Sequence, residues 1–409
     1  MNSIQPRNPF RFDRLPTEQS FVNRVTEVQR IVTCITNGEN LLVHGLRRMG
    51  KTSCLLRAAR TAANTTGTIC FVVDLARHST LADVTEALLH HAIPALSSLG
   101  EKSAAWLASA VKGLVLRPIA TGSLDASALG GPDMKLELSL ELRSQGQAAH
   151  ATALMEVLDA LDALSAKRSK RVAIIIDEFT FLEKFGPDRV SWQLRSAMQR
   201  HQNLTYILSG SASHIIEQMH GQDGPFFGMF GRLHVGPIPD HEISEWIDQM
   251  VNSHSCSANG VGAECVRLAG PRTRDIIQLA RRTFDLATRA GIADTTTVNE
   301  ALSSLLEDSD SEFLSAWCEL TTHQQSVLAA IAAGEGHTLF TDATRKRYGL
   351  GATASVSQTS RRLARSFGPR PDYRDPILTR VNTPNGIVHH FDNPYFLRWT
   401  ARLRDSTAQ

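Results

Sequence analysis

Residues 45–52 read G-L-R-R-M-G-K-T, between the short apolar run Leu41–His44 and a stretch of strong helix formers, Lys51–Ala63. Few runs constrain a chain more. Gly45 and Gly50 open backbone conformations closed to other residues, so the connection can turn its N–H groups inward, and the helix starting at Lys51 adds its positive end to the same space. The pattern is G-x-x-x-x-G-K-[ST] with a strand before and a helix after, which predicts a phosphate loop. Lys51 then supplies a point charge between the β- and γ-phosphates of ATP, and the Thr52 hydroxyl ligates Mg²⁺. The cradle runs through Gly45, Leu46, Arg47, Arg48, Met49, Gly50, Lys51, Thr52 and Ser53. The side chains of Arg47 and Arg48 either contribute to it or solvate the loop.

A phosphate loop needs a sheet and an acidic partner. Residues 68–74, Val172–Ile176, Leu204–Leu208 and Leu233–Val235 join Leu41–His44 as strand candidates with helical stretches between them. That alternation predicts a parallel α/β sheet. The run Val172–Ile176 ends in Asp177 and Glu178. Asp177 would hold Mg²⁺ through water, and Glu178 would act as general base on the attacking water. After Leu204–Leu208 comes Ser209–Gly210–Ser211, where Ser211 senses a γ-phosphate or, with Ser213 as the other candidate, caps the next helix. Arg232 is an arginine finger or a surface arginine. Residues 79–118 read as one or two amphipathic helices. Within 119–147 a turn-like stretch precedes K-L-E-L-S-L-E-L, whose period of two predicts a hairpin-type insertion.

After Pro237–Asp240 the strand signals stop and helical patterns run to about 307, broken at Gly270–Pro271. Arg272 is placed to reach the nucleotide, unless Pro271 simply occupies the first turn of a helix. Helices over 322–333, 340–347 and 353–366, then extended runs Ile377–Asn382 and Ile387–Phe391, predict a winged helix-turn-helix. The expected division is a P-loop ATPase domain over 1–238, a helical lid over 239–307 and a winged-helix domain over 308–409.

Charge is spread unevenly along the chain. The 409 residues carry 43 basic and 41 acidic side chains, a formal net of +2, too close to neutral for the whole surface to address nucleic acid or anionic lipid. Residues 322–409 alone hold 12 basic and 6 acidic side chains. Arg345, Lys346, Arg347, Arg361, Arg362 and Arg365 cluster on the second and third helices, so this region either meets DNA or is a packing module in which Tyr395, Phe396 and Trp399 dock. The six cysteines are scattered singly without metal-ligand spacing, which predicts reduced thiols. The absence of a signal-type start or a membrane-length apolar run predicts a cytoplasmic location.

Taken together, N-P-F (Asn8–Phe10), F-V-N-R (Phe21–Arg24), Asn40–Ser53, I-I-I-D-E-F (Ile174–Phe179), Ser209–Ser211 and F-D-N-P-Y-F-L-R-W (Phe391–Trp399) resemble the archaeal-type ATPases of the STAND branch of AAA+ proteins. The resemblance spans about residues 8 to 400. It implies an AAA+ core, a helical lid and a winged helix, with ATP-driven conformational switching. With no nuclease, protease or TIR-like segment to spare, the expected effector is a separate polypeptide, and Arg232 as a finger predicts an ATP-dependent homo-oligomer. The family's lid usually carries Gly-x-Pro, whereas here the run is Ala269–Gly270–Pro271–Arg272, which leaves open whether Pro271 or Arg272 senses the nucleotide. The competing reading is a DNA-binding ATPase that regulates transposition, replication or defence. Intact Lys51, Asp177 and Glu178 argue against a non-hydrolysing scaffold.

Overall fold

The computed structural model describes residues 8–12, 21–97, 114–120, 136–142, 147–211, 213–254, 256–364, 376–383 and 386–407. The chain forms two units, Arg24–Gly236 and Met1–Asn23 together with Pro237–Gln409.

In the first unit, α1 (Val25–Asn37) buries Val28, Ile31, Val32 and Ile35 along one face and stops at Gly38, whose φ of 79° admits the left-handed cap. Strand β1 (Leu41–His44) leads into α2 (Lys51–Thr66), and β2 (Ile69–Asp74) leads to α3 (Leu81–Ser97). Helix α4 (Gln147–Arg168), β5 (Val172–Asp177), α5 (Pro187–Arg200), β6 (Leu204–Gly210), α6 (Ser213–His220) and β7 (Gly231–His234) complete the series. The sheet order is β2-β5-β6-β1-β7, and every neighbouring pair is parallel. All residues of β5 and β6 are buried, as interior strands covered on both faces require. Edge strand β7 is mostly exposed. The expected class, α/β with a parallel sheet, is therefore what the unit contains, and the Gly45–Gly50 loop leaves its strand β1. Because β6 lies between β1 and β5, the ends of three strands, carrying Gly45, Ser211 and Asp177–Glu178, open on one edge of the sheet.

One stretch departs from expectation. Residues 114–118, expected at the end of the helical 79–118 segment, instead belong to strand β3 (Leu114–Ala120), antiparallel to β4 (Leu136–Leu142), with Leu114 opposite Leu142. The alternating Leu136–Leu142 needs a strand partner, and the β-branched, apolar Leu114–Ala120 supplies it in preference to a helical turn. The hairpin expected over 119–147 thus begins at Leu114. Residues 98–113, 121–135 and 143–146 lie outside the described residues.

In the second unit, helices α7 (Asp240–Asn252), α8 (Val261–Ala269), α9 (Thr273–Ala290) and α10 (Thr295–Asp308) surround a two-residue parallel pair, β8 (Ser257–Ala258) with β9 (Ile292–Ala293). Helices α11 (Asp310–Cys318), α12 (Thr322–Ala330), α13 (Asp342–Tyr348) and α14 (Thr353–Leu363) follow. The antiparallel hairpin of β10 (Leu378–Thr383) and β11 (Gly386–Phe391) and helix α15 (Pro394–Thr407) close the chain. Capping boxes at Asp294–Thr297 and Thr321–Gln324 set the starts of α10 and α12. A single apolar core contains Ile247, Phe284 and Leu302 from the 239–307 segment and Leu328, Phe396 and Trp399 from beyond it. Phe10 joins this core edge-to-face with Trp246 and Phe284 at centroid distances of 5.6 and 6.1 Å, and Asn8 ties the same segment to the Arg281 carbonyl at 2.9 Å. The six cysteines are free thiols. Among the described residues no helix is long and apolar enough to cross a membrane.

Candidate functional site

The loop leaving β1 is shaped by two glycines. A side chain on Gly45 would overlap the Val235 carbonyl oxygen, and Gly50, at φ 92°, occupies the position before α2 without a side chain to obstruct it. Arg48 is also left-handed, at φ 65°. No side chain caps the first amides of α2, and uncapped amides at a helix N-terminus are the kind of group that binds an anion. Lys51, 5% exposed, donates from Nζ to the carbonyls of Gly45 and Leu46 at 3.0 and 2.9 Å. Burial pushes its ammonium below the ordinary lysine value, while Glu178 and Asp177 act in the opposite direction.

Across the loop, the Thr52 hydroxyl donates to Asp177 Oδ2 at 2.6 Å, and the backbone N–H of Glu178 donates to Asp177 Oδ1 at 3.0 Å. Asp177 is 2% exposed. A hydroxyl and a carboxylate in contact form a hard-oxygen pair of the sort Mg²⁺ takes when phosphate and water complete its shell. Among the described residues no cluster of three or more His, Cys, Asp or Glu would hold a metal by itself. The donor set therefore fits a cation that arrives with a phosphate.

Glu178 sits at φ 47°, where the chain turns from β5 into a 3₁₀ segment. Burial raises its carboxyl above the ordinary range, opposed by the Lys51 ammonium. Ser211, at the end of β6, donates to Glu178 Oε2 at 3.1 Å, and Arg47 Nε donates to the same Ser211 hydroxyl at 3.4 Å. Arg47, Lys51, Thr52, Asp177, Glu178 and Ser211 are thus joined in one hydrogen-bonded and electrostatic cluster.

The remaining candidates lie elsewhere. Arg232 is exposed on β7, opposite Leu42, and donates to the His220 carbonyl at 3.2 Å. Pro271 is exposed at the head of α9. Arg272 belongs to the second unit and is 3% exposed. Its guanidinium pairs with Asp275 and Asp392, each at 2.8 Å. On α13, Arg345 is held by Asp342 and by the Gly351 carbonyl, and Arg347 pairs with Glu335 at 2.7 Å. Lys346, Arg361 and Arg362 are exposed. Arg365 lies outside the described residues.

A residue whose contact with the loop sequence reasoning missed is Arg24, buried at a φ of 71°. Its guanidinium donates to the Met49 carbonyl at 3.0 Å and the Gly236 carbonyl at 2.6 Å, and pairs with Glu27. A cation among the apolar residues Val22, Val25 and Val28 was the available signal; its partners, far away in sequence, were not.

No protein-family model and no curated protein matches the chain. Solved structures do. A Walker-type ATPase of Pyrococcus abyssi is 15% identical, with 97% of this chain and 99% of that chain covered at a TM-score of 0.58. The Aeropyrum pernix ORC2 protein, solved as ADPNP–ADP complexes, is 12% identical over 99% of both chains, also at a TM-score of 0.58. At these identities the likeness is one of fold.

Proposed function

We propose that this chain binds ATP with Mg²⁺ and hydrolyses it, as a nucleotide-driven switch of the AAA+ type, of the STAND branch, acting on a separately encoded effector. The observation that carries the reading is the Thr52–Asp177 contact at 2.6 Å beside Glu178 and Lys51. Likeness in fold to a Walker-type ATPase and to a protein solved with ADPNP and ADP supports it. Mg²⁺ would be held by Thr52 and Asp177 and would neutralise charge on the phosphate oxygens. The loop amides from Gly45 to Ser53 bind and orient the triphosphate, and Lys51 exchanges its two loop carbonyls for phosphate oxygens. Glu178 accepts the proton of the attacking water.

In this reading residues 239–307 serve as the lid and 308–409 as the winged-helix module. Arg232, exposed on an edge strand, is the finger offered to a neighbouring copy, giving an ATP-dependent homo-oligomer. Arg272 already neutralises two buried carboxylates, so its part is structural. A second reading, DNA binding through the winged helix, is favoured by the exposure of Lys346, Arg361 and Arg362 on adjacent helices.

The deciding experiment compares wild type with Lys51→Ala and Glu178→Gln. Lys51→Ala loses ATP binding. Glu178→Gln binds ATP but hydrolyses it roughly 10²- to 10⁴-fold more slowly, the usual share of a general base. Equal turnover in wild type and Glu178→Gln would remove the assignment.

A further inference from the structure

The concavity of the phosphate loop and the carboxylate of Glu178 are joined by Thr52 and Asp177 on one side, and on the other by two side chains whose roles are fixed by their chemistry. Arg47 Nε can only donate, and it lies 3.4 Å from Ser211 Oγ. Ser211 has a single hydroxyl hydrogen. With its oxygen already accepting from Arg47, that hydrogen points to Glu178, at 3.1 Å from Oε2 and 3.4 Å from Oε1. Each partner enters from a different element: Arg47 from the loop after β1, Ser211 from the end of β6, Glu178 from the turn after β5. The order β5-β6-β1 makes this possible, because the strand bearing Ser211 stands between the other two. Glu178 is held in a left-handed conformation that a non-glycine residue adopts only when its surroundings fix it.

We propose that Arg47 is a positioning residue for Glu178, acting through Ser211, so that the loop which wraps the phosphates also sets the orientation of the carboxylate that receives the proton of water. The inference rests on the ATP-hydrolysing reading of the same site. Arg47 is then neither a surface solvating group nor primarily a phosphate ligand. Its guanidinium fixes the Ser211 hydroxyl rotor, and the rotor fixes Glu178.

The test is a double-mutant cycle on the full chain, with kcat and nucleotide Kd as separate readouts, Kd being measured with a fluorescent ATP analogue in the absence of turnover. Ser211→Ala lowers kcat about 10- to 100-fold, the cost of a misplaced reacting group, and leaves Kd within about threefold. Ser211→Thr, which keeps the hydroxyl, restores most of the loss. Arg47→Ala lowers kcat about 3- to 10-fold in the wild-type background and by clearly less in the Ser211→Ala background, where only the direct charge effect of Arg47 on Glu178 is left to lose. Multiplying effects in the double variant overturn the relay, as does a tenfold or greater loss of nucleotide affinity in Arg47→Ala, which would make Arg47 a direct phosphate ligand. In either case wild-type turnover and its loss in Glu178→Gln stand. A wild type that binds nucleotide without hydrolysing it overturns the parent reading, and the relay with it.

Discussion

His220 has its ring within 5.4–5.7 Å of the rings of Phe179, Phe226 and Phe230. Its Nε2 is buried without a hydrogen-bond partner. Burial, and after it Arg232 and His44, push its pKa from 6.5 down to about 4. The folded chain therefore keeps a neutral imidazole where the unfolded chain binds a proton. This stabilisation is complete above about pH 6.5 and is lost as pH falls toward 4, amounting to about 3 kcal/mol. Urea unfolding of wild type and His220→Phe at pH 7.5 and 4.5 should show the variant losing about that much less on acidification. Parallel losses would mean that His220 is solvated. The composition could not have shown this, because nothing in a histidine's neighbours along the chain announces three phenylalanines around it. The same divide runs through the site: Lys51, Thr52, Asp177 and Glu178 were legible because each belongs to a contiguous strand–loop pattern, whereas the Arg47–Ser211–Glu178 chain spans 164 residues and leaves no local mark.

At the scale of elements, the strands of the sheet were readable from their apolar, β-branched runs, and the parallel arrangement from their alternation with helices. Strand β3 was not, since Leu114–Ala120 becomes a strand only through Leu136–Leu142. Nor could the sequence reveal what joins α9 to the C-terminal segment. Arg272 pairs with Asp392 across 120 residues, the Tyr395 hydroxyl donates to the Asp275 carbonyl at 2.6 Å, and Trp399 Nε1 donates to Asp310 at 2.7 Å. The F-D-N-P-Y-F-L-R-W run is thereby a fastening of the second unit. Asp392→Asn removes one of two carboxylates and should cost about 2 kcal/mol; Arg272→Ala leaves both carboxylates buried without their cation and should cost about 4 kcal/mol or more. Denaturant midpoints decide the order. A smaller loss in Arg272→Ala than in Asp392→Asn would show that the cation, not the carboxylates, is the strained member.

Over the whole molecule, the near-neutral total conceals a separation of charge, with twice as many basic as acidic side chains in 322–409. Counting residues overstates what that surface can offer a polyanion. Arg345 and Arg347 are engaged with Asp342 and Glu335, which leaves Lys346, Arg361 and Arg362 as the exposed cations of α13 and α14 that form no ion pair among the described residues. If each neutralises one DNA phosphate, the logarithm of affinity should fall against the logarithm of salt with a slope of about −2.7, taking about −0.9 per phosphate. Arg361→Ala with Arg362→Ala should reduce that slope to about −0.9, while Arg347→Ala should leave it unchanged and act on stability alone. Fluorescence anisotropy with a labelled duplex across a salt series measures all three. A wild-type slope near zero, or no binding at the lowest salt, would assign the basic helices to packing and return the chain to the effector-directed switch.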